Sequence, residues 1–299
     1  MGQSMKSQYI VIILLNTWCY IQKKMGNLYS YFTSYFTGKM QYIEPGTTRV
    51  LETHFKDGTL RTRQYQIYKT YSIKGEWKLH REDGAAFEEH WEDGSVQYKW
   101  FRNGKLHNEL GPAVERYHSN SVCARREWWH KGQLHNKIGP ALEVWWSNGN
   151  LLEQCYYKNG KLHNKIGFAS EYRYYDEQIY ERKYRINGIL HRDDGPALEY
   201  WDSNGNLRKR EWYQNGNYCN DGTAPIIEHW NNGVKTLEIW GEYYEYGTLN
   251  YALNTRFYYH REDGPAYIRW DDTGKLIKKE FYIKGEIQEP FVLTKGIRN

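Results

Sequence analysis

At 299 residues, with 29 tyrosines and 13 tryptophans but only 39% hydrophobic residues in all, the chain has room for one or two ordinary domains with a thin, aromatic core. Its 41 basic and 36 acidic residues are well mixed and leave a net charge of +5, which describes a solvated surface and not a nucleic-acid stripe. The four cysteines (Cys19, Cys123, Cys155 and Cys219) have no paired or CxxC spacing, which argues for a reducing compartment and against a disulfide framework or a zinc site.

Residues 1–48 carry no repeat. Tyr9 to Ile21 is a 13-residue apolar run behind Lys6, too short for a membrane span of about 20 residues. As a signal-peptide core it lacks a following small-x-small cleavage site. A third reading is that translation starts at Met25. There "MGNLYS" matches Met-Gly-x-x-x-Ser for N-myristoylation of Gly26, whereas "MGQSMK" has Lys6 where Ser or Thr belongs. Leu28, Tyr31, Phe32, Tyr35 and Phe36 then form one stripe of a short helix. That helix either caps the first strand or, with a lipid on Gly26, anchors the chain to a membrane.

Residues 49–286 are one sentence written about eight times. A worn opening copy runs from Val50 to Trp77. The "LH" step then recurs at His80, His107, His135, His163 and His191, with Cys219 in the next place, at gaps of 27 or 28 residues. Gly84, Gly111, Gly139, Gly167, Gly195 and Gly222 keep the same beat. So does an aromatic column, Trp100, Trp128, Tyr156, Tyr184 and Trp212. After an insertion near residues 241–257, a last copy runs from His260 to Gly285. The tail, 287–299, contains Pro290, which would help to stop further strand pairing.

Each copy reads as two hairpins. Short aromatic-rich runs such as "ALEYW" and "LRKREWYQ" are bounded by Asn-Gly, Asp-Gly or Lys-Gly. Taking Asn204-Gly205 as a two-residue type I′ turn places Glu199 opposite Arg210, Ala197 opposite Trp212 and Trp201 opposite Arg208. The same rule pairs Glu115 with Arg126 and Glu171 with Arg182, and small Ala leaves room for the indole beside it. Turns at Asn103-Gly104, Lys131-Gly132, Asn159-Gly160 and Asn187-Gly188 set Trp100, Trp128, Tyr156 and Tyr184 opposite His107, His135, His163 and His191. The histidines then form an aromatic–imidazole ladder. Equivalent residues two strands apart lie about 10 Å from each other, too far to share one metal.

The remaining polar groups suggest no catalysis. "HRDDG" and "HREDG" hold carboxylates beside glycine, as a calcium loop does. The copies "HNELG" and "HNKIG" hold one acid or none in the same place, and Asn, Asp and Gly together are turn chemistry. Glu88, Glu115, Glu143, Glu171, Glu199 and Glu228 make a file of acids facing arginines, not an acid–base pair across a cleft. No nucleophile–base set, phosphate loop or dinucleotide fingerprint is present. No catalytic residue, metal, cofactor or small-molecule substrate is expected.

"YKNGKLHNKIG", "FRNGKLHNELGPA" and "WWHKGQLHNKIGP" resemble the MORN repeat in its Asn-Gly-Lys-Leu-His variant, which large DNA viruses of amoebae carry in expanded families. The likeness spans Val50 to Gly285. It departs from the eukaryotic consensus in unit length and in lacking the Gly-x-Gly-x-Tyr run, so lipid binding transfers weakly. Tyr-Asp repeats of bacterial toxins and cell-wall-binding aromatic repeats share some chemistry but not the 28-residue beat. The resemblance implies an all-β fold, an elongated single-layer antiparallel meander of MORN type behind the short N-terminal helix. It also implies a non-enzymatic scaffold for a protein partner, in a host cytoplasm or a virion, with possible membrane association through the N-terminus. A glycan-binding module, its Trp and Tyr columns stacking on sugars, is the alternative.

Overall fold

The computed structural model describes residues 43–70, 75–219, 222–246 and 254–288. The apolar run at Tyr9, Gly26, the Leu28–Phe36 helix and Pro290 lie outside them. Two compact units divide the chain: Met1–Thr48 with Ile67–Trp77, and Arg49–Gln66 with Lys78–Asn299. In the first, the Tyr68 N–H donates to the Thr47 carbonyl at 2.8 Å and the Tyr68 ring meets Trp77 edge-on at 5.3 Å. The second unit holds the repeats.

Among the described residues all regular structure is β. Each complete copy supplies a long hairpin and a short one. In one copy the long hairpin is Leu198–Trp201 with Leu207–Glu211, and the short one is Tyr213–Gln214 with Asn217–Tyr218. Long hairpins join edge to edge into one open antiparallel meander, as where Arg182 lies opposite Glu199 and Arg210 opposite Glu228. The short hairpins form separate two-stranded ladders. A second row of bonds links those ladders: the N–H groups of Gly132, Gly160, Gly188 and Gly216 donate to the carbonyls of Leu106, Leu134, Leu162 and Leu190, at 2.7–2.9 Å. The aromatic column is the crossing point. The Trp128 N–H donates to Ala141 in the sheet, while its carbonyl accepts from His135 in the short hairpin.

The expected charge pairs are in place, with Glu115, Glu171 and Glu199 opposite Arg126, Arg182 and Arg210. The turn that was expected to set them is not. Asn103-Gly104 and its counterparts have positive φ at both positions, as type I′ requires, but at the long-hairpin tip only Gly205 does. There the Gly205 N–H donates to Asp202 and the Asp202 N–H to Asn206, a type I turn closed by a glycine bulge. The strand shifts register between Tyr200 and Trp201, so Trp201 lies opposite Leu207 and not Arg208. This second bulge restores the register that the longer turn removes, which is why Glu199 still meets Arg210. Ala197 likewise bonds to Glu211 and not to Trp212, whose N–H goes on to Ile226.

The insertion is a lengthened short hairpin. Gly241–Tyr246 pairs with Asn254–Tyr259 where other copies pair two residues with two. His260 still bonds to Trp240 across its base, as Cys219 does to Trp212. The extra residues therefore leave the beat of the main sheet intact. Of the tail, Glu286–Gln288 pairs back on Phe281–Ile283.

The core is a narrow file. Ala86, Ala113, Ala141, Ala169, Ala197 and Ala266 are fully buried at the join between long hairpin and loop, and Ile226 fills that place in the worn copy. Much of the cohesion comes from buried carboxylates with defined partners. Glu171 accepts from Arg182 Nε at 2.6 Å, Gln154 Nε2 at 3.0 Å and Arg173 Nε at 2.9 Å. Burial alone would raise its carboxyl pKa, but those hydrogen bonds outweigh burial and hold it below the ordinary value. Glu143 lies opposite Arg126 and Gln154. There burial wins over Arg126 and the carboxyl is pushed up.

Candidate interaction surface

The histidine column is a joint between copies. The Nδ1 atoms of His80, His107, His135, His163, His191 and His260 accept the backbone N–H of Asn103, Lys131, Asn159, Asn187, Asn215 and Lys284 at 3.1–3.3 Å. Each donor is the first residue of the next copy's short-hairpin turn. The recurring contact is thus a hydrogen bond along the array and not the expected stack on the cross-strand aromatic. A main-chain N–H can only donate, so Nδ1 presents its lone pair and the neutral ring carries its proton on Nε2. A metal needs a lone pair on its ligating nitrogen, and the one available is taken. His107, His130 and His135 do gather, with ring centroids 4.9 and 6.3 Å from His130, but two of the three are already committed in this way.

The loop after each histidine is built in two chemistries. In the flanking copies an arginine bridges it. Arg81, Arg192 and Arg261 donate through Nε to Asp83, Asp194 and Asp263, each at 2.8 Å. Their guanidinium groups lie 4.1, 4.0 and 3.8 Å from the ring centres of Tyr65, Tyr184 and Trp240. The arginine hydrogen bond holds the three aspartates below the ordinary carboxylate range. A guanidinium therefore stands where a calcium reading would put its cation.

In the three inner copies an asparagine does this work. Asn108, Asn136 and Asn164 accept through Oδ1 from the N–H of Leu110, Ile138 and Ile166 at 3.1–3.2 Å. Through Nδ2 they donate to the carbonyls of Pro112, Pro140 and Phe168 at 2.8–2.9 Å. The loop is satisfied internally, and its third residue has nothing to hold it in. Leu110, Ile138 and Ile166 are 100%, 99% and 99% exposed. Successive members are one copy apart, which is about 10 Å for two strands. Glu109, Lys137 and Lys165 precede them. The row ends at Asp194, which closes a cleft between the neighbouring loops lined by Ile166, Tyr184, Ile186 and Arg192. In the sequence these loops stand out for their acids, and the apolar residue that replaces Asp carries no motif of its own.

The file of glutamates is the ladder already described, each opposite a strand neighbour on the sheet. Among the described residues Cys123, Cys155 and Cys219 form no disulfide, and burial raises the Cys155 thiol far above its usual range. A second surface is a groove on the sheet, lined among others by Tyr174, Tyr180, Tyr200, Trp201, Trp230 and Trp270 with Arg208 and Asp202. Among the described residues no helix is long and apolar enough to cross a membrane.

The geometry defines a class: an open all-β repeat array with one apolar row on its loops. Comparison with known proteins returns no matching family model and no matching curated protein.

Proposed function

We propose that this chain is a non-enzymatic repeat scaffold of MORN-like build, elongated along its copies, whose inner loops dock a protein partner. The observation that carries the reading is the row Leu110, Ile138, Ile166. Fully exposed aliphatic side chains are costly to leave in water; single ones need no explanation, but three in the same place of successive copies, about 10 Å apart, support a partner site. It is confined to three copies, as a protein epitope would be; a sugar polymer would favour a feature repeated in every copy. The MORN-like beat makes an infected host cell or a virion the natural setting.

The test is affinity purification from the native cell with quantitative mass spectrometry. Wild-type chain is compared with a chain carrying Leu110→Asp, Ile138→Asp and Ile166→Asp. A partner enriched by the wild type and lost from the triple variant supports docking through this row; equal recovery refutes it. The aromatic groove beside Arg208 and Asp202 favours the second reading, a glycan site. For that reading, binding on a glycan array should fall with Tyr200→Ala and Trp230→Ala while the loop variants bind normally.

A further inference from the structure

We infer that copies of this chain join head to tail, the first strand of one pairing with the last long strand of the next. An open meander has two edges. At one, Thr48–His54 pairs with Leu60–Thr70 on a single side and all seven residues are exposed. At the other, Leu276–Glu280 pairs with Tyr267–Trp270 on a single side. No strand lies on the outer side of either among the described residues. Both present apolar side chains to water, Val50 and Leu51 at the first edge and Leu276 and Ile277 at the second. Such edges are templates for a further strand.

The array itself specifies which strand fits. At four internal junctions the last strand of one hairpin sets an arginine opposite a glutamate of the next: Arg63 with Glu88, Arg126 with Glu143, Arg182 with Glu199 and Arg210 with Glu228. At the final edge the arginine place is held by Lys279, which lies opposite Ile268 in its own hairpin. At the first edge the glutamate place is held by Glu52, bonded from its own side by Arg63 at 2.6 Å. Continuing the register by one copy puts Glu52 of a second chain opposite Lys279, and Leu51 opposite Glu280, where the open edge ends. The pairing that continues the array's own register is heterologous, and a heterologous contact that does not close gives an open string.

Sedimentation velocity on the full chain over a hundredfold concentration range tests this, with circular dichroism melts as the folding control. The wild type should form dimers and longer species in mass-action order. E52K and K279E should each weaken association at least tenfold while melting within a few degrees of wild type. An equimolar mixture of the two should recover it, because each mismatched edge then meets its complement. A wild type that stays monomeric throughout overturns the inference. So does association unchanged in both variants, or a mixture that behaves as the sum of its parts.

Discussion

Residues 164–168 and 192–196 are the same loop one copy apart, and they differ in what they do with their third residue. In the later loop Arg192 pairs with Asp194, which stays exposed, and covers Tyr184. In the earlier one Asn164 closes the turn alone and Ile166 is left in the solvent. Both loops satisfy their polar groups. One presents an exposed carboxylate already paired with an arginine, and the other offers an aliphatic side chain on a rigid stem. The inner copies differ in the ladder too, where Gln154 stands in an arginine place and leaves Glu143 with a weaker set of partners.

The sharpest way to break this comparison is to make the inner loops resemble the outer ones. With Asp at positions 110, 138 and 166, affinity for a captured partner should fall at least a hundredfold. Three aliphatic side chains buried by a partner are each worth roughly 1.5–3 kcal/mol. Thermal stability should change little, since surface substitutions usually cost within about 0.5 kcal/mol. Surface plasmon resonance beside a thermal melt separates the two. A large fall in stability would mean that these residues belong to the fold and not to a docking surface.

The ladder comes next. Glu171→Ala leaves Arg182 and Arg173 without their buried acceptor and should cost about 3 kcal/mol in urea unfolding, at the low end for a broken buried pair because both arginines reach solvent. Glu143→Gln should do the reverse. Its folded pKa is raised, so the charged form costs stability at neutral pH, and that cost disappears as pH falls through the folded value. The substitution should stabilise at pH 7 by no more than about 1 kcal/mol, and by less near pH 4. A loss at pH 7 would show that Arg126 already holds the carboxylate well.

Smaller than the Glu171 loss is that of Asn136→Ala, which removes both bonds that close the Ile138 loop. The expected cost is about 1–2 kcal/mol, with partner affinity falling as the stem loosens. Retained affinity would mean that the side chain alone, without its rigid turn, is what a partner reads. Least in size is an acid effect confined to the outer loops. Asp83, Asp194 and Asp263 have lowered folded pKa values, so their contribution is complete above the unfolded value of 3.8 and is lost as pH falls through the folded one. Asp194→Asn should flatten the melting temperature against pH below about pH 4. An unchanged profile would place the acid response elsewhere.

The hairpins and their register were legible because charge and size repeat with the beat: Glu171 and Arg182 announce each other from eleven residues apart. The turn at Asn204 was misread because Asn-Gly suits both a type I′ turn and the end of a type I turn with a bulge, and a compensating bulge left the pairs unchanged. The insertion looked like an interruption, although Trp240 and His260 still carry the beat across it. The role of the histidines was hidden because a main-chain donor from the next copy leaves no trace in sequence. The aliphatic row was visible in principle. Comparing Asp83, Leu110, Ile138, Ile166 and Asp194 position by position shows three apolar residues where a turn loop normally holds polar ones.

Photo-crosslinking in the native cell tests the docking row most directly. A benzoylphenylalanine is placed at 138 in one chain and at 194, the same loop position in an outer copy, in another. Docking through the inner loops predicts one dominant protein adduct from position 138 and little or none from 194. Adducts of equal yield from both, or none from 138 while the chain is folded and abundant, would contradict it.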